Sequence, residues 1–381
     1  MSPLETIQKN ESAPITVKRR IVYVLISYLC FLLLLVVLEI GVRLTLPHVS
    51  SLDLFVNTPQ QKAQVGNSKQ SVIFEGDPLL LWRLKPNLHH VVWDFTVLST
   101  NSQHLRMDHE LTAKQPGTIR IVCLGDSVTF GYRVPVVWPD KPTEYDPEYL
   151  PYPMLLEKQL RAANPGRNIE VIPLAVPGYT SHQGLAWLRR DIDQLQPDFL
   201  TVSFGWNDAS FSDAPDRETI RTNWYAVGVR RLIEYSQAFA HATSWLRRRT
   251  SVKPPAGVRS TARVSQPEYL DNMLGMVHLA RERKVPVIVI AAPYRDRVTN
   301  TTEAQLMLHY RAALRAAMEK EQVPFLEIRE LTEEAYPANE GWFGELIHPN
   351  HMGHRLIASE LLRLIASNRV LADLNIPALT P

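Results

Sequence analysis

Between residues 118 and 368 the chain keeps changing period. Short apolar, β-branched runs alternate with stretches whose apolar residues recur at helical spacing, and few folds accept that alternation. The runs are 118–125 (TIRIVCLG), 168–176 (NIEVIPLAV), 198–205 (DFLTVSFG), 285–293 (VPVIVIAAP) and 323–328 (VPFLEI). Residues 153–163, 182–195, 267–283, 303–320 and 353–367 read as helices. Leu270, Leu274 and Val277 share one face of the third helix, and Leu306, Tyr310, Leu314 and Ala317 one face of the fourth. In the last, Leu356, Ile357, Leu361, Leu364 and Ile365 form one stripe. Strands that are apolar on both sides need cover on both sides, so the expected core is a parallel sheet between two helical layers. Such sheets bind ligands beyond the carboxyl ends of their strands. Residues capable of chemistry are therefore expected just after strands.

Four segments meet that demand. The first strand runs into Gly125-Asp126-Ser127-Val128-Thr129, and the second into Pro177-Gly178-Tyr179-Thr180-Ser181. The third ends in Gly205-Trp206-Asn207-Asp208, and after the fifth comes Glu345-Leu346-Ile347-His348-Pro349-Asn350. Each residue type has a task in acyl transfer. A serine hydroxyl attacks only when a base takes its proton, and a histidine near pH 7 is such a base. A turn between strand and helix exposes Ser127 and offers unpaired backbone N–H groups beside it. Gly178 has no side chain to keep its N–H away from an oxyanion, and Asn207 brings a side-chain amide to the same point. Glu345, three residues before His348, is spaced to accept from the imidazole Nδ1–H and hold its tautomer.

These blocks resemble those of the SGNH (GDSL-like) hydrolase superfamily in type, order and strand position, across residues 118–368. The resemblance implies a flavodoxin-like three-layer sandwich with a five-stranded parallel sheet in the order 2-1-3-4-5. It implies hydrolysis of esters without cofactor or metal, with Ser127 as nucleophile, His348 as base, and Ser127, Gly178 and Asn207 in the oxyanion hole. Arg263 matches an arginine preceding the same helix in related members, which implies a contact with substrate. The lead-in segments LWRLKPN and TNSQHLR resemble those of membrane-attached members. Two departures stand out. The acid three residues before the histidine is Glu345 instead of the usual aspartate, which leaves a Ser-His dyad as the alternative to a triad. The second block opens at Pro173 where the family usually has asparagine.

Residues 21–38 are an uncharged apolar run, and as a helix they span about 27 Å, close to a bilayer core. Lys18, Arg19 and Arg20 precede the run, while Glu39 and Arg43 follow it. The positive-inside bias puts the N-terminus in the cytoplasm and the rest outside. No good small-x-small cleavage site follows, which favours an uncleaved anchor over a signal peptide. The expected organisation is a cytoplasmic tail (1–20), a transmembrane anchor (21–44), a stalk and lead-in with short strands (45–117), a hydrolase domain (118–370) and a C-terminal tail (371–381). Within the lead-in, the polar residues 47–75 read as a stand-off. The domain carries insertions at 132–151 and 209–266. The first reads as a rim over the cleft. The second holds a basic helical stretch ending at Arg249, read as a solvated face or a contact for anionic lipid or polysaccharide.

A net charge of +2 over 381 residues gives no footprint for nucleic acid. Cys30 and Cys123, the two cysteines, fall on opposite sides of the anchor boundary and build no disulfide framework. His351 and His354 lack the accompanying ligands of a metal site and read as the entry to the last helix. Tyr179 and Trp206 flank the oxyanion residues and either line the substrate pocket or cover the end of the sheet. The leading expectation is a serine esterase acting on an ester, such as an O-acetylated glycan, outside the cytoplasm. An O-acyltransferase to extracytoplasmic polysaccharide and a non-catalytic module of the same fold are the alternatives.

Overall fold

Five β-rich runs become strands β1 (Ile119–Gly125), β2 (Ile169–Ala175), β3 (Phe199–Ser203), β4 (Val287–Ile290) and β5 (Phe325–Leu326). They pair in parallel in the order 2-1-3-4-5, as expected. The computed structural model describes residues 16–56, 58–66, 71–250, 261–295, 301–328, 343–344 and 346–366. Alternate side chains of each strand point to opposite faces. Ile121, Cys123 and Val171 enter one core, and Val122, Leu124 and Ile172 the other.

The first core is closed by α2 (Tyr152–Ala163) and α8 (His351–Ala366). The second is closed by α3 (Ser181–Leu195), α6 (Gln266–Glu282) and α7 (Thr302–Lys320). On α6 the buried face is Tyr269, Met273, Met276, Val277 and Ala280, so Leu270 and Leu274 sit at its flank. The reason is that α6 packs between α3 and α7 and buries a wider face than a leucine stripe covers.

Before the sheet come two antiparallel hairpins, Phe74–Asp77 with Leu81–Leu84, and Val91–Trp93 with Thr96–Leu98. The reading of residues 47–75 as a stand-off does not hold where they are described. Ser51–Phe55 and Pro59–Val65 are helices, and Leu52, Phe55 and Val65 are buried in the second core. The second insertion carries α4 (Trp224–Tyr235) and α5 (Gln237–Thr250). Ahead of everything stands α1 (Val17–Thr45), none of whose residues is buried. That exposure excludes a core helix. Its length and composition fit both a membrane span and a signal sequence.

Candidate active site

Ser127 is the first residue of a one-turn helix, Ser127–Phe130, that starts where β1 ends. Asp126 caps that turn by accepting from the Val128 N–H at 3.0 Å. Gly125 is required here, because a Cβ would overlap the Thr129 side chain and come within 2.9 Å of the Ser203 carbonyl. The turn leaves the Ser127 hydroxyl facing a cleft, with the His348 Nε2 2.7 Å from its Oγ. The loop bearing His348 is pinned on both sides. Gly344 N–H donates to the His348 carbonyl at 3.0 Å, and Arg295 N–H donates to the Leu346 carbonyl at 2.9 Å. Asn350 then starts α8, its Oδ1 accepting from the N–H groups of Met352 and Gly353. Glu345 lies outside the described residues.

Gly178 adopts φ +83°, a conformation that suits glycine, and the Gln64 side chain lies where a Cβ would point. Its carbonyl accepts from Arg263 Nη1 at 2.9 Å. Its N–H has no acceptor among the described residues. Asn207 sits in the short helix Trp206–Ala209 after β3, its Nδ2 3.0 Å from the Tyr179 carbonyl and 3.3 Å from Asp126 Oδ2. Burial pushes the Asp126 carboxyl up to about 6, against the opposing pull of the Val128 N–H, His348 and Asn207. Asp208 faces the other way and takes the Ser181 N–H and hydroxyl, and burial pushes its carboxyl up to about 8.

The cleft has a volume of about 390 Å³. Ser127, His348, Asn207 and Asp126 line it, together with Trp93, Tyr132, Trp206 and Ile347. Residues 63–66, from the end of the Pro59–Val65 helix, complete the wall. The Tyr132 ring lies 4.5 Å from the imidazole of His348. A larger hollow of about 480 Å³ lies elsewhere, beside Arg106, His109 and Lys158, so chemistry and not size picks out the site.

Two expected substrate contacts fall elsewhere. The Tyr179 ring is fully buried, edge-on to Trp82 and Trp187, with its hydroxyl donating to the Trp82 carbonyl. Arg263 is 1 % exposed and pairs with Asp216 at 2.9 Å. Asp216 also accepts from the Thr180 hydroxyl at 2.8 Å, so the pair braces the loop that carries Gly178. Trp206 does line the cleft, its indole N–H donating to the Pro293 carbonyl at 2.7 Å. His354 is buried and accepts from the Tyr152 N–H, and His351 stacks on Tyr149. Burial holds the His354 imidazole down at about 3, in its neutral form. The wall formed by residues 63–66 was not expected. Its signal was present in Thr58-Pro59-Gln60-Gln61, a capping box with proline at the first helical position.

The sequence profile of the GDSL-like Lipase/Acylhydrolase family matches residues 123–356, more than half of the chain. The chain belongs to this family. Among solved structures, this family member resembles an alpha/beta hydrolase enzyme from the metagenome of Lake Arreo, Spain. The two are 18 % identical over 64 % of this chain and 94 % of that one, with a TM-score of 0.42. A lipase/acylhydrolase from Enterococcus faecalis is 18 % identical over 65 % of this chain and 95 % of its own, with a TM-score of 0.41. An acetylxylan esterase from Geobacillus stearothermophilus is 16 % identical over 64 % and 93 %, with a TM-score of 0.40. No curated protein matches the chain.

Proposed function

We propose that this GDSL-like hydrolase is a serine esterase, held by α1 in a membrane with its hydrolase domain outside the cytoplasm. It cleaves esters, O-acetylated glycans among them, through an acyl-enzyme on Ser127. The observation that carries the proposal is the 2.7 Å contact between Ser127 Oγ and His348 Nε2. That distance lets the imidazole take the hydroxyl proton as Oγ bonds to the substrate carbonyl carbon. The carbonyl oxygen becomes an oxyanion, received by the N–H groups of Ser127 and Gly178 and by the Asn207 amide. The longer of the two Asn207 contacts, to Asp126, is the one the oxyanion displaces. Collapse breaks the ester C–O bond, and the imidazolium returns its proton to the departing alcohol. Water, deprotonated by His348, then repeats the sequence on the acyl-serine and releases the acid. By its spacing three residues before His348, Glu345 is assigned the acid's part of holding the imidazole tautomer, with a Ser-His dyad as the alternative.

Two observations support the anchor. The apolar residues of α1 are exposed along its length, and three cations precede them. The end of α1 is also part of the folded domain, since Glu39 accepts from the N–H groups of Gln237 and Ala238. Cleavage past the apolar run would strip those amides of their partner.

Labelling with a fluorophosphonate probe, together with p-nitrophenyl acetate turnover, tests the catalytic reading. The wild-type chain is expected to label and turn over. Ser127→Ala is expected to do neither, and His348→Ala to lose at least about a thousandfold in kcat. Turnover that survives in Ser127→Ala rejects the proposal.

A further inference from the structure

Helix α4 buries Arg230 and Ile233 against the domain and turns Trp224, Tyr225, Leu232 and Tyr235 outward. At helical spacing those four residues occupy about a third of the circumference, the sector where a water-facing helix carries polar groups. Trp224 is 85 % exposed and Tyr235 73 %. Helix α5 continues the pattern with exposed Phe239, Trp245 and Leu246, and ends in Arg247, Arg248 and Arg249. The Arg249 guanidinium lies over the Trp245 ring, 4.0 Å from its centroid. Exposed apolar residues repeated on two consecutive helices mark a contact surface.

The position of this face identifies what it meets. The elbow between α4 and α5 is clamped to the end of α1. The Glu39 carboxylate accepts from the Gln237 N–H (2.8 Å), the Ala238 N–H (3.0 Å) and the Ser236 hydroxyl (2.8 Å). Arg43 donates to the Tyr235 carbonyl at 2.8 Å. Tyr235 and Phe239 therefore flank the point where the apolar run of α1 ends. Tryptophan, tyrosine and arginine are the residue types that settle at the boundary between acyl chains and headgroups.

We propose that α4 and α5 form a second membrane contact in the leaflet from which α1 emerges. Trp224, Leu232, Tyr235, Phe239 and Trp245 lie in its interfacial layer, and Arg248 and Arg249, which flank Trp245 on α5, lie against anionic phospholipid headgroups. This inference rests on the reading of α1 as a membrane span.

The full chain, reconstituted into phosphatidylcholine–phosphatidylglycerol vesicles brominated near the carbonyl end of the acyl chains, tests it. Bromine quenches tryptophan at contact. The expected result is quenching in the wild type that is lost in Trp224→Phe/Trp245→Phe, with p-nitrophenyl acetate turnover unchanged. Equal quenching in both proteins, or none in either, while the chain stays in alkali-washed vesicles overturns the interfacial contact and leaves the anchor standing. Extraction of the chain by alkali overturns the anchor and this inference with it. Quenching that is the same with and without phosphatidylglycerol overturns the headgroup contact of the arginines.

Discussion

The Arg263 guanidinium lies outside the lining of the cleft, yet it holds the carbonyl of Gly178, whose N–H receives the oxyanion in the proposed mechanism. Lysine at this position keeps the charge and loses the planar fork that reaches Asp216 and Gly178 together. Arg263→Lys is therefore expected to lower kcat about tenfold through a displaced oxyanion donor, with KM changed less than about twofold. Equal changes in both constants, or none, would show that the brace does not reach the transition state. Asp208 gives a second expectation, at the level of stability. Burial pushes its carboxyl up to about 8, whereas the unfolded chain has it near the ordinary ~3.9. Between those values the folded state holds a proton that the unfolded state has released, so stability falls as pH rises. The contribution is full below the unfolded value and is lost as pH rises through the folded one. Asparagine does not titrate and keeps an oxygen for the Ser181 N–H. From about pH 5 to about pH 8, the melting temperature of the wild type is expected to drop more than that of Asp208→Asn. Parallel melting profiles would remove Asp208 as the cause. The positions of Ser127, Gly178 and Asn207 at the strand ends were legible because each follows its strand within a few residues, and that of His348 because its motif stands just ahead of the last helix. The Arg263–Asp216 pair was not, because its partners are 47 residues apart and only the folded loop brings them together.

Among the elements, the Pro59–Val65 helix shows how a polar composition misleads. Its exposed residues read as a stand-off, while the capping box at Thr58 and Gln61 and the burial of Val65 make it a wall of the cleft. Seven residues are too few for a helix to persist on intrinsic propensity, so its cap and its buried side chain decide its population. Thr58→Ala removes one half of the capping box and is expected to cost about 1 kcal/mol locally. Amide exchange over residues 61–65 then quickens about fivefold, and KM for a small ester rises while the global melting temperature holds. Exchange at the wild-type rate would show that the cap is not what holds the wall. The sheet was easier to read than this helix. Its strands are apolar on both faces, and their β-branched runs stand apart from any helical period. The buried face of α6 was harder, since Met273 and Met276 fill the space between three helices while Leu270 and Leu274 lie at the edge.

For the whole molecule, the decisive question is whether the hydrolase domain moves freely on the anchor proposed for it. A free stalk after residue 45 would let the cleft sample many orientations. The folded chain instead ties α1 to the α4–α5 elbow through Arg43 on the Tyr235 carbonyl and through the Glu39 carboxylate, which satisfies two backbone amides and a hydroxyl at the start of α5. The carboxylate also sits where the dipole of α5 favours negative charge, so the clamp and the helix stabilise one another. Glu39→Ala leaves those donors to water and takes away the partner of Arg43 Nε. Losses of this kind at a helix start are worth about 1 kcal/mol, enough to loosen a contact made by few residues without unfolding the domain behind it. In nanodiscs, a fluorophosphonate dye bound at Ser127 then reports the motion. Glu39→Ala is expected to lower the residual anisotropy at long times, because the domain swings through a wider cone. Its turnover of soluble p-nitrophenyl acetate is expected to match the wild type, because Glu39 lines no part of the cleft. Unchanged residual anisotropy would mean that Glu39 does not hold the orientation, and that the apolar faces of α4 and α5 fix it by themselves.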